Sequence, residues 1–149
     1  MAFSVAEDKL RGMDTTALVG HLAAWSYYQS VDTPQNKQFV ANFKAYCKKN
    51  NLPDGEKRVT DDPMEAAYFG VYVWKQAVEK AGRTDVDAVR KPTYGQKFLA
   101  PGGEIKMDKA NDHTHKPFPS HTIRLEYRHD KSDSNRMGAE FGLDMVPGL

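Results

Sequence analysis

Between residues 58 and 82 the chain reads RVTDDPMEAAYFGVYVWKQAVEKAG, and its apolar positions recur at helical spacing. Ala67, Gly70, Val71, Trp74, Ala77, Val78 and Ala81 fall on one stripe, and Gly82 supplies the stop. That stripe places Trp74 on the buried face. A second amphipathic helix is written in DTPQNKQFVANFKAYCKKN. Thr33 can cap it, Pro34 suits the first helical position, and Phe39, Val40, Phe43, Tyr46 and Cys47 line up. TDVDAVRK opens a shorter helix, capped at Thr84 or Asp85. Pro92 truncates it, because proline removes a donor and clashes one turn back. Nearer the N-terminus, SVAEDKLRGMD predicts a short helix: Ser4 caps, Glu7 stands at capping-box spacing, and Gly12 ends it.

Where the period changes, strands follow. ALVGHLAAWSYYQS is apolar, aromatic and short, which predicts a buried strand with an extended exit. His21, inside that run, reads as a hydrogen-bonded core histidine. QKFLAPGGEIKMD predicts strand, Pro-Gly-Gly turn, strand, and NLPDGEK a surface turn. After Pro117 the chain turns polar; TIRLEY is its one convincing strand and HDKSDSNRMG a solvated loop. The alternation of strand and helix predicts an α/β layer architecture. Few strands stand beside two long helices, so apolar surface is left over and self-association is expected.

Composition narrows the function classes. A chain of 149 residues fits one domain or part of a larger one. Its 21 basic and 20 acidic residues leave a formal net charge of +1, without the basic excess that nucleic acid or an anionic membrane surface calls for. No apolar run approaches membrane-spanning length. The start, MAFSVAEDKLRG, lacks the basic region and apolar run of a secretory signal. The single cysteine, Cys47, excludes an internal disulfide and reads as a small buried apolar residue.

Chemistry-bearing motifs are sparse. His113 and His115, with Asp108 and Asp112 beside them, lack a regular ligand framework and read as a solvated loop. APGGEIK lacks the spacing and the following helix of a phosphate cradle. No local arrangement activates a nucleophile, so catalytic, metal and cofactor residues are all expected to be none. TDDPMEAAY remains. Asp62 as cap, Pro63 at the first helical position and Glu65 completing a capping box explain part of it. Asp61 and Met64 are left over. A helix N-terminus with free N–H groups and short polar side chains also suits a small polar ligand.

Five segments in order, AFSVAEDKLRGMD, VGHLAAWSYYQSVDTPQNKQFV, VTDDPMEAAYFGVYVWKQAVEKAG, DAVRKPTYGQKFLAPGG and IKMDKANDHTHKP, give a wider resemblance. Together they resemble the later part of the substrate-binding protein of urea ABC transporters, in the type 1 periplasmic-binding-protein class. The resemblance runs from residue 1 to about 117, and residues 118–149 form a divergent tail. Two departures stand out: KPT at 91–93 replaces a helical KAL-like segment, and FPSHTIRLEYRHDK replaces an apolar strand.

The resemblance implies a partial fold of three-layer α/β/α lobes joined by a hinge, with the N-terminal part of that fold outside this chain. Residues 24–100 or so would belong to the N-terminal lobe, and 1–20 with 101–117 to the C-terminal lobe. GHLAAWSYYQS would be a hinge crossing, and DDPMEAAY would point a helix N-terminus at the cleft. Asp62, Pro63, Met64 and Glu65 are then the expected ligand-binding residues, with Ser4 and Glu7 on the opposite lip. The implied function is solute binding for an ABC importer of urea or short-chain amides, by lobe closure. Its partners would be the solute and membrane permease subunits, in the periplasm or at the cell surface. An amide-sensing receptor of the same fold, an amidase-like enzyme and a non-binding fragment are the alternatives.

Overall fold

The computed structural model describes residues 5–115 in full and the backbone of 121–125 and 143–145. The helices among them are α1 (Glu7–Leu10), α2 (Pro34–Lys49), α3 (Asp62–Ala81) and α4 (Val86–Thr93). The strands are β1 (Leu22–Trp25), β2 (Lys97–Ala100), β3 (Gly103–Met107), β4 (Thr114–His115), β5 (His121–Leu125) and β6 (Leu143–Met145). They form two antiparallel three-stranded sheets, ordered β1-β5-β6 and β2-β3-β4. The architecture is mixed α/β, as the alternation predicts.

The helix boundaries follow from short polar side chains. Thr33 Oγ1 accepts from the Asn36 N–H at 3.0 Å, with Pro34 opening α2. The same hydroxyl donates to the Pro101 carbonyl at 2.8 Å, tying the start of α2 to the β2–β3 turn. Phe39 and Cys47 are buried, and Val40 and Phe43 are half-buried. Tyr46, expected on the same stripe, is exposed.

α3 departs from expectation in two respects. Its cap is Asp61, which accepts from the Met64 N–H at 3.0 Å; Asp62 is the first helical residue and Pro63 the second. The first of two consecutive aspartates therefore does the capping. Asp61→Ala is expected to cost about 1 kcal/mol, which thermal melting would show as a drop of about 2–4 °C. The buried face is Glu65, Phe69, Val73 and Ala77. Phe69 and Val73 pack on Ala100 and Ile105 of the β2–β3 hairpin, flanked by Tyr68 and Phe98. Trp74 is 50% exposed and Val71 63%, so the expected burial of Trp74 is corrected. Apolar residues lie on both sides of α3, and the hairpin takes the Phe69 side. Phe39, Tyr68, Tyr72 and Phe98 then form a ladder of rings, 4.8, 4.9 and 5.0 Å between successive centroids, across α2, α3 and β2.

α4 is capped by Asp85, which accepts from the Ala88 N–H at 3.0 Å. Pro92 does not truncate the helix but sits inside its last turn, one residue before it ends at Thr93. So close to the end its missing donor breaks little, and Thr93 Oγ1 donates to the Val89 carbonyl at 2.8 Å in that turn.

The apolar run from Ala17 to Ser30 contributes only four strand residues. Ala17 and Leu18 lie in a short 3₁₀ turn. His21 is exposed just before β1, its backbone N–H donating to Leu18 O at 3.0 Å; it is not a core histidine. TIRLEY supplies β5, which pairs with β1 so that Trp25 stands opposite His121. Ser4 and the polar stretch 129–138 lie outside the described residues.

Past β1 the chain enters a buried polar network. Tyr27 Oη donates to Asn36 Oδ1 at 2.7 Å and lies 2.8 Å from Thr60 Oγ1. Asn36 Nδ2 donates to the Gln29 and Val31 carbonyls at 2.6 and 2.7 Å, and the Thr60 N–H donates to Gln29 Oε1 at 2.9 Å. Tyr27, Asn36 and Thr60 are at most 1% exposed. Burial holds the Tyr27 phenol above its ordinary pKa, so it remains a neutral donor. The network joins the exit of β1 to the first turn of α2 and to the residue preceding the α3 cap. It positions everything that follows.

Candidate functional site

At the N-terminal end of α3 lies a cavity of about 310 Å³. Asp62 and Glu65 reach it from the first turns of the helix, and Ser26 from the exit of β1. Thr114 and His115 of β4 close another side, above a floor that includes Phe69 and Ile105. The two hydroxyls, two carboxyls and one imidazole therefore come from three separate stretches of chain. No Lys or Arg side chain is among the described residues lining the cavity. A groove of about 450 Å³ along α2, between Gln29 and Lys44, is open and holds none of the residues expected from sequence.

Glu65 is the best-defined member. It is fully buried, and its Oε1 accepts from the Gly102 N–H at 2.7 Å, in the turn between β2 and β3. With Asp61 as cap, Glu65 stands one place beyond the capping-box position, and the capping-box reading is corrected. Its carboxylate joins the helix to the hairpin turn and also borders the cavity. A charge-assisted bond of this kind is stronger than one between neutral groups.

The other expected residues are distributed differently. Asp62 borders the cavity. Pro63 is exposed and Met64 half-buried. Glu7 does not complete a cap: the N-cap of α1 is Ala6, with no side-chain bond. Instead Glu7 Oε1 accepts from the backbone N–H and the hydroxyl of Ser30, at 3.1 and 2.8 Å. Among the described residues its Oε2 is buried without a hydrogen-bond partner, as is the hydroxyl of Tyr28. Burial first, then the charges of Glu7 and Asp62, hold the Tyr28 phenol above its usual pKa. Glu7, Tyr28 and Asp62 thus share one neighbourhood at the junction of α1 and α3.

Sequence reasoning missed Ser26, Thr114 and His115. Ser26 carries no local signal beyond ending an apolar run. Thr114 and His115 belong to the polar segment read as a solvated loop, and they are indeed exposed. The His115 side chain is 53% exposed, with Nε2 3.6 Å from Asp108 Oδ2. Asn111 stands beside the same nitrogen, its Nδ2 at 2.9 Å. Only the β3–β4 pairing, with Lys106 opposite His115, carries this segment to the cavity.

Residues 1–124 match the periplasmic binding protein domain. The chain belongs to that family. Among solved structures, this periplasmic binding protein chain is similar to a solute binding protein of an ABC transporter from Rhodopseudomonas palustris BisB5, in complex with 3,4-dihydroxybenzoic acid. The TM-score is 0.61 at 24% identity, covering 82% of this chain and 31% of that one. It is also similar to an amino acid ABC transporter substrate-binding protein from Pseudomonas fluorescens Pf-5. There the TM-score is 0.70 at 18% identity, covering 96% of this chain and 35% of that one. Likeness at these identities is likeness of fold. A curated relative, a limonene hydroxylase of Geobacillus stearothermophilus, is 29% identical over 101 residues, 68% of this chain and 17% of that protein. The chain spans 31% and 35% of the two solved structures' length, and so carries part of the fold.

Proposed function

We propose that this periplasmic binding protein chain is part of the solute-binding component of an ABC importer for urea or a short-chain amide. One observation carries the reading: the cavity at the start of α3 presents carboxyl and hydroxyl groups and no Lys or Arg among its described lining residues. Such a lining suits a solute rich in N–H donors and without a carboxylate. A benzoate, as in the R. palustris complex, or the carboxylate of an amino acid would face two carboxyl groups. Like charges at short range are costly. The volume, about 310 Å³, lies at the lower end for small-molecule sites.

In this reading Asp62 and Glu65 accept the solute's N–H groups, and Pro63 and Met64 shape the turn that carries them. Ser4 and Glu7 belong to the facing lip. Lobe closure encloses the solute and presents the closed form to permease subunits at the membrane, on the periplasmic or outer side, with no bond made or broken. Residues 24–100 are assigned to one lobe, and 1–20 with 101–117 to the other.

Thermal melting of the chain with urea, acetamide, benzoate and leucine tests the proposal. Urea or acetamide at about a hundredfold excess over its Kd should stabilise by about 2.7 kcal/mol, and benzoate should leave the midpoint in place. Stabilisation by benzoate or leucine and not by the amides would overturn it. Release of ammonia from urea would make the chain an amidase instead.

A further inference from the structure

Acceptors for N–H groups are abundant in the cavity, but a urea-like solute also has a carbonyl oxygen that needs a donor. Among the described lining residues His115 is the only side chain with a ring or amide N–H; Ser26 and Thr114 offer hydroxyls. The surroundings of the imidazole bear on which nitrogen holds the proton. Asn111 Nδ2 lies 2.9 Å from His115 Nε2, closer than Asn111 Oδ1 at 3.3 Å. In the tautomer with the proton on Nδ1, Nε2 accepts from Asn111 Nδ2, and that is the form in which Nδ1 can donate to a solute. No hydrogen bond of the His115 imidazole involves Nδ1 among the described residues.

We propose that His115 is the specificity-determining residue of this site, donating its ring N–H to the solute's carbonyl oxygen and so selecting a neutral amide over a cation of the same shape. This rests on the amide reading of the cavity above. Carboxyl groups alone would prefer a cation: guanidinium matches urea in shape and in N–H groups, but has a third nitrogen where urea has its oxygen. The imidazole donor meets an acceptor in urea and another donor in guanidinium. Donor against donor is what the site rejects. Charged groups surround His115. Asp108 lies at 3.6 Å on the ion-pair side of the ring, Lys106 is its neighbour across β3, and Asp62 and Glu65 border the same cavity.

The test measures urea and guanidinium binding to the whole chain by calorimetry, for wild type, His115→Ala and His115→Gln. Wild type should favour urea. His115→Ala should lower the urea-to-guanidinium affinity ratio about tenfold, the loss of one hydrogen bond to the solute. His115→Gln, which keeps an N–H donor, should hold the ratio within about threefold. His115 is exposed, so the variants should fold, and circular dichroism checks that they do. Equal weakening of both ligands in His115→Ala would reduce His115 to a structural part of β4 and overturn the proposal. Absence of urea and guanidinium binding in wild type would overturn both this proposal and the amide reading. Urea binding with an unchanged ratio would overturn this one alone.

Discussion

Glu65→Ala should lower the melting temperature by about 6–12 °C. A hydrogen bond to a charged group contributes about 1.5–3 kcal/mol, and each buried methylene removed adds about 0.8 kcal/mol. Their sum is about 3 kcal/mol, and a domain of this size loses about 2–4 °C per kcal/mol. The bond at stake is the one from the Gly102 N–H to Oε1, with Glu65 fully buried. Glu65→Gln separates the two roles of this side chain. It retains the volume and one acceptor for Gly102, so about 1 kcal/mol of stability should go with the charge. If the carboxylate also accepts from the solute, urea and acetamide affinity should fall about ten- to hundredfold. Melting curves and calorimetric titrations of both variants decide it. Lowered stability with unchanged affinity would make Glu65 a fastener of the hairpin turn only. Wild-type melting in Glu65→Ala would mean that it fastens nothing.

A second large effect is expected on the same helix, at Phe69. Phe69→Ala should cost about 3–5 kcal/mol, because a large ring is removed from a packed site. Phe69 is 7% exposed against Val73, Ala100 and Ile105. Trp74→Ala, at a side chain half in solvent, should cost under about 1 kcal/mol in this chain, near the range of surface substitutions. Thermal melting of the two variants side by side tests the assignment of faces. A larger loss at Trp74 than at Phe69 would mean that the Trp74 side of α3 is covered in solution.

That pair of residues shows where the sequence was readable and where it was ambiguous. The existence and type of α2, α3, α4 and the β2–β3 hairpin followed from period, caps and Pro-Gly punctuation, which are local signals. The buried face of α3 did not follow. Of the stripe Ala67, Gly70, Val71, Trp74, Ala77, Val78 and Ala81 only Ala77 shares the buried face with Phe69 and Val73, and local spacing cannot rank two overlapping stripes on one helix. The cap was misplaced by one residue because Asp61 and Asp62 are chemically equal, and only the backbone course chooses between them. Asp62 and Glu65 could be singled out as site candidates because they crowd a helix start. Ser26, Thr114 and His115 could not, since β1, α3 and β4 meet only through pairings distant in sequence. The bonds from Ser30 to Glu7 are equally nonlocal, and the capping-box pattern at Ser4 and Glu7 gave no sign of them.

The pairing of β1 with β5 carries a consequence for how such a chain can be cut. Trp25 and His121 stand opposite each other across two antiparallel strands, so the backbone that departs after Trp25 comes back beside its point of departure. Residues opposed in this way lie about 5 Å apart, a gap that a two-residue hairpin can span. The chain between these two strands is therefore topologically a loop closed by their pairing. The same geometry makes that loop a natural cassette. Exchanged between relatives, it would bring α3, the hairpin and β4 with it, and with them nearly the whole lining of the cavity.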